Sequence, residues 1–137
     1  MKQWKIGTIV LSAGLCLFLA GCNAPATPPF VSPLAPPAWI IGEWQNNDGT
    51  KSWTFSADNA VLTNNGNPTD FKELSKEDDI EISEDINSTD AYQITVADGV
   101  GLETYHYFSK QSETTFTYFV SDNGGGFFPP PIDYTKQ

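Results

Sequence analysis

Trp39-Ile40-Ile41-Gly42-Glu43-Trp44, then Asn46-Asn47-Asp48-Gly49, then Ser52-Trp53-Thr54-Phe55-Ser56 form one unit of pattern. Two short runs of strand-favouring residues flank an Asp-Gly turn. The second run alternates strictly, with Trp53 and Phe55 on one side and hydroxyls on the other. Successive strand side chains point to opposite faces, so this is a β-hairpin with one buried face.

Downstream the same pattern recurs. Asp58-Asn59 leads into Ala60-Val61-Leu62-Thr63, and Asn64-Asn65-Gly66-Asn67-Pro68 closes it. Ile80-Glu81-Ile82 and Tyr92-Gln93-Ile94-Thr95-Val96 alternate, Asp98-Gly99 turns the chain into Leu102 to Phe108, and Thr115 to Val120 follows. Seven or eight short strands are predicted, with no helix beyond a turn around Phe71-Lys72-Glu73-Leu74. Short connections make sequence neighbours spatial neighbours, and a meander removes its exposed edges best by closing. The expected fold is all-β, a small antiparallel up-and-down β-barrel of about eight strands over residues 38–123. An open β-sandwich is the alternative.

Gly42-Glu43-Trp44, at the start of such a meander, resembles the Gly-x-Trp of the lipocalin-like (calycin) barrels. The resemblance implies that the glycine permits a close backbone approach and that the indole plugs one end of the barrel. That family usually sets an arginine from the last strand against the tryptophan, and this chain contains no arginine.

Upstream, Asn23 to Pro37 holds six prolines in fifteen residues. Proline fixes φ and removes a donor, so residues 22–37 read as an extended tether. The alternative lays Phe30, Val31 and Leu34 against the domain. Further upstream, Lys2 and Lys5 precede an uncharged apolar run from Ile6 to Ala20, ending in Leu19-Ala20-Gly21-Cys22. A basic start, a short apolar segment and small residues at a cut describe a signal peptide, here residues 1–21. The layout resembles a bacterial lipoprotein precursor. The resemblance implies acylation of Cys22, a membrane anchor through its acyl chains and a place in the bacterial cell envelope. By the same resemblance, Asn23 after the cysteine favours the outer membrane over the inner.

Without Lys2 and Lys5, five lysines face seventeen acids. So acidic a chain repels the phosphate backbone, and no nucleic-acid partner is expected. Cys16 leaves with the signal peptide and Cys22 carries lipid, so no thiol remains for a disulfide, a metal or catalysis. Nine acids crowd between Asp70 and Asp90 without the ligand-turn-ligand order of a calcium loop, and read as a solvated rim. His106 is the single histidine and no Gly-x-Ser-x-Gly turn is present. No enzyme, metal site or cofactor is expected.

The candidate ligand-binding set is Trp44, Trp53, Phe55, Tyr92 and Tyr107, which an apolar concavity would use and which a core would equally bury. Inward residues this large are expected to pack the barrel centre, leaving any ligand shallow at an open end. The tail, residues 124–137, runs from a glycine hinge into Pro129-Pro130-Pro131 and is expected to strap the barrel or to dock a partner. Two functions fit these residues. One is a non-enzymatic binding module for a small apolar ligand or a protein partner. The other is a structural or assembly lipoprotein with a filled barrel, working through its acidic rim or tail.

Overall fold

The computed structural model describes residues 28–124 and 128–137. The expected signal peptide, the expected lipobox with Cys22, Asn23 and the first part of the expected tether lie outside the described residues. Nine strands form one antiparallel up-and-down sheet: β1 Gly42–Asn46, β2 Lys51–Ser56, β3 Asn59–Asn64, β4 Asn67–Asp70, β5 Ile80–Asn87, β6 Ala91–Asp98, β7 Glu103–Lys110, β8 Thr115–Asp122 and β9 Ile132–Lys136. The single helix among the described residues, α1 Phe71–Leu74, follows β4 and is capped by Asp70, whose side chain accepts from Glu73 N–H at 3.0 Å.

The spatial order is β4-β3-β2-β1-β9-β8-β7-β6-β5. It consists of two four-stranded meanders, β1 to β4 and β5 to β8, joined by β9. β9 pairs with β1 through Trp44↔Lys136 and Asn46↔Tyr134, and with β8 through Phe116↔Tyr134. The tail was expected to strap the barrel, yet residues 132–136 lie within its wall. The alternation Ile132, Tyr134, Lys136 against Asp133 and Thr135 explains this: it is a strand pattern that a preceding proline run does not prevent. The run of residues 64–68 predicts a turn where β4 begins. β4 is an edge strand, where Pro68 is tolerated because one side makes no ladder bonds.

β4 and β5 do not pair, so the sheet curls into a half-barrel with a seam. Two segments cover that seam. One is the connection of residues 71–79, which buries Phe71. The other is the proline-rich stretch of residues 30–41, which was expected to be a spacer as far as Pro37. It lies against the barrel instead, with Leu34 2% exposed and Ile40 fully buried. Ala35 N–H donates to Glu84 Oε1 at 2.5 Å, Asn87 Nδ2 donates to Ala35 O at 2.9 Å, and Trp39 Nε1 donates to Ser88 O at 2.9 Å. An extended proline-rich chain leaves backbone groups free, and the polar side chains along the β5 edge take them up.

The concave face holds one aromatic core. Trp44, Trp53, Tyr92, Phe108, Phe116 and Tyr134 are fully buried, and Phe55 and Phe71 are 2% exposed.

Candidate functional site

Four of the five candidate ligand-binding residues, Trp44, Trp53, Phe55 and Tyr92, converge in this core. Their alternation along β1, β2 and β6 points them inward. They touch one another and their neighbours rather than free space. Trp53 stands edge-on to Phe108 with ring centres 4.9 Å apart, Phe55 meets Phe108 at 5.1 Å, and Trp44 meets Phe116 at 4.7 Å. Phe116 stacks on Tyr134 at 5.2 Å. These are the separations preferred by packed aromatic pairs. The barrel centre is filled.

Tyr107 departs from the other four. On β7 it is His106 and Phe108 that point inward, so Tyr107 lies on the outer face against Phe119, ring centres 5.9 Å apart. Phe71 and Tyr134 belong to the interior and were not among the candidates. The period-two signal could have found Tyr134, whereas Phe71 sits in a single turn of helix that carries no period.

The interior contains a few polar groups. His106 Nδ1 lies 2.8 Å from the Tyr118 hydroxyl. Burial lowers the imidazole pKa to about 4, so it is neutral at pH 7, and burial raises the Tyr118 phenol. Tyr134 is pushed up to about 12, chiefly by burial. Trp53 Nε1 sits near enough to favour the Tyr134 phenolate slightly, but neither atom has a partner in hydrogen-bond geometry. His106 faces aromatic rings, Trp53 at 5.9 Å and Phe71 at 5.2 Å, and is 8% exposed. An imidazole so enclosed acts as a packing group and a hydrogen-bond partner for Tyr118.

Glu84 connects core and surface. Its Oε1 accepts from the Tyr92 hydroxyl and from Ala35 N–H, each at 2.5 Å. Burial, and then this carboxylate, raise the Tyr92 phenol well above its ordinary value. Between Glu84 and Ile86 the β5–β6 register shifts. This bulge presents Asp85 to Gln93 Nε2 at 3.1 Å and to the Thr95 hydroxyl.

Among the described residues, surface grooves lie at the ends of the barrel. At the end bearing the β5–β6 and β7–β8 turns, a groove of about 520 Å³ is lined by Pro37, Trp39, Asn87, Ser88, Thr89 and Lys110. At the opposite end, a hollow of about 220 Å³ is lined by Asp78, Asp79, Glu81 and Asp98. Near the β1–β2 turn, one of about 290 Å³ is lined by Asn46, Asp48, Pro131 and Asp133. Among the described residues no group of three or more His, Cys, Asp or Glu side chains is arranged to hold a metal ion. Nor is any helix among them long and apolar enough to cross a membrane, which says nothing of strands.

Comparison with protein-family models, with curated proteins and with solved structures gives no match to this chain.

Proposed function

We propose that this chain is a membrane-anchored bacterial lipoprotein of the cell envelope, outer membrane rather than inner, whose filled barrel serves as a structural or assembly module. It works through its surface rather than by carrying a ligand inside. The filled centre carries this reading: Trp44, Trp53, Tyr92, Phe108, Phe116 and Tyr134 are fully buried and in ring-to-ring contact where a carrier would enclose its ligand. The acidic rim, including Asp78, Asp79, Glu81 and Asp98, suits a partner with a basic face.

Calycin kinship is part of the proposal. Lys136, on the last strand, stands over Trp44 of Gly42-Glu43-Trp44, where that family places an arginine. The anchor is proposed from the lipobox at Cys22. With two or three acyl chains, at roughly 0.8 kcal/mol per buried CH₂, attachment is effectively permanent.

A second reading has its own support. The groove beside Trp39 lies at a barrel end near the turns, where a small apolar ligand would sit shallowly.

Titration of the folded protein with a naphthalene-sulfonate dye separates the two. Absence of saturable binding is expected. Saturable binding lost in Trp39→Ala favours the groove, and binding lost in Trp53→Ala without loss of stability overturns the filled barrel. For the anchor, metabolic labelling with a fatty-acid probe is expected to mark the native chain and not Cys22→Ser. Label persisting in the variant removes the lipoprotein reading.

A further inference from the structure

We propose that Asn65-Gly66, the turn between β3 and β4, is a site of spontaneous modification, at which Asn65 deamidates and the backbone converts to aspartyl and isoaspartyl forms. The Gly66 nitrogen attacks Asn65 Cγ, a C–N bond forms, and the side-chain nitrogen leaves as ammonia. Water then opens the five-membered imide at one of its two carbonyls. Opening at the side-chain carbonyl's C–N bond restores the ordinary backbone as aspartate, and opening at the other routes the backbone through the side chain. Water enters, ammonia leaves, one negative charge is gained, and nothing is oxidised or reduced.

The sequence holds four Asx-Gly pairs: Asp48-Gly49, Asn65-Gly66, Asp98-Gly99 and Asn123-Gly124. Glycine matters because no side chain shields the attacking nitrogen. Three of the four pairs are held. Asp48 Oδ1 accepts from Thr50 N–H at 2.9 Å, and Gly49 N–H donates to Asn46 O at 3.1 Å. Asp98 Oδ1 accepts from Val100 N–H at 3.0 Å and Leu102 N–H at 2.9 Å. Asn123 is fixed at both ends of its amide: Oδ1 accepts from Glu103 N–H and Nδ2 donates to Gly101 O, each at 3.1 Å. The nitrogen that would attack it is also engaged, since Gly124 N–H donates to Asp122 Oδ1 at 2.8 Å.

Asn65-Gly66 lacks these restraints. Its amide donates only to the neighbouring Asn64 Oδ1 at 3.2 Å, and among the described residues neither Asn65 Oδ1 nor Gly66 N–H has a hydrogen-bond partner. A Cβ built on Gly66 would meet nothing within 4 Å, so no other segment packs against the turn there. Asn65 is the single non-glycine residue of positive φ among those described, at 49°, a conformation that costs energy to hold. The turn is tied by Asn65 N–H to Thr50 O at 2.8 Å and by Asn67 Nδ2, which donates to Asn64 O at 3.4 Å and Asn65 O at 3.5 Å, through atoms that neither attack nor leave. β4 is a four-residue edge strand paired only with β3, and such an end opens readily to the geometry of attack.

An isoaspartyl linkage adds a methylene to a turn that closes with positive φ at both central residues, 49° and 81°. The Asn64↔Asn67 pairing then cannot be kept, and β4 loosens from the seam.

The full chain is incubated in its folded state at mildly alkaline pH and its peptides are mapped by mass. The peptide holding Asn65 is expected to gain about one mass unit and to split into two products, one of them a substrate for an isoaspartyl methyltransferase. Asn123 is expected to react at least about tenfold more slowly, because its clamp must open first. In urea the two sites are expected to react at similar rates. Equal reaction at Asn65 and Asn123 in the folded protein overturns the proposal. So does an Asn65 that stays intact over a period in which the urea-unfolded chain is modified there.

Discussion

The Lys136 ammonium stands 5.2 Å from the centre of the Trp44 ring. The two residues face each other across the β1–β9 ladder, and the Trp44 indole N–H is held by Ile40 O at 2.6 Å. Gly42 completes the arrangement: with φ at 128°, a Cβ there would come within 2.9 Å of Lys136 Cε. A side chain at Gly42 would therefore displace the lysine that stands over Trp44.

Gly42→Ala is expected to cost about 1–3 kcal/mol, from a positive φ together with the clash. Lys136→Ala is expected to cost less, on the order of 1 kcal/mol for a lost cation–π contact. In the double variant the clash is gone while the φ penalty remains, so the two costs are expected to sum to more than the measured loss. Urea unfolding of the four proteins checks this, and simple additivity would separate Gly42 from Lys136.

Trp53→Ala and Tyr134→Ala are each expected to destabilise by about 3–5 kcal/mol, as deletions of buried aromatics do. Tyr134 carries a second effect because β9 joins the two meanders. A chain ending before Ile132 leaves β1 and β8 both unpaired on one side. It is expected to lose cooperative unfolding altogether, as calorimetry would show by the absence of a single transition.

The stretch of residues 30–41 is expected to act as part of the fold. Leu34→Ala is expected to cost about 2–4 kcal/mol. A chain beginning at Pro37 keeps the sheet but uncovers the seam, so it is expected to unfold cooperatively at a lower denaturant midpoint. An unchanged midpoint would return the stretch to the role of a spacer.

Stability is expected to fall on mild acidification through His106. Its pKa is about 4 in the folded chain and about 6.5 when unfolded. Within that window the unfolded chain binds a proton that the folded chain does not. Stability therefore drops as pH falls, by at most ~1.4 kcal/mol per pH unit and on the order of 3 kcal/mol in all. Above the window this group contributes no slope. His106→Gln is expected to flatten the curve there, whatever its effect at pH 7, and urea midpoints across the range would test it. An unchanged slope would assign the effect to the carboxylates.

Period-two alternation made β2, β6 and the core residues Trp53, Phe55 and Tyr92 legible, because a strand with one buried face writes that period into its residues. Tyr107, a candidate as one of the aromatic set, lies on the outer face. An aromatic residue is compatible with either face of a strand, and only the pairing of β7 with its neighbours decides which face is inside. Asp-Gly and Asn-Gly turns likewise mark hairpins through local backbone preference alone.

By itself the sequence determined an all-β chain of short antiparallel strands, strongly acidic, with aromatics enough to fill its own centre. Local chemistry suffices for that: turn residues, alternation and charge act over a few positions. Three matters were decided only in three dimensions. The strand pattern of residues 132–136 took its place between β1 and β8 because two meanders each offered a free edge there. The proline-rich stretch became a cover because the β4–β5 seam left Leu34 and Ile40 somewhere to be buried. Lys136 came to stand over Trp44 although ninety-two positions separate them in the chain. Each depends on contacts between segments far apart in sequence, and no local preference encodes such a contact.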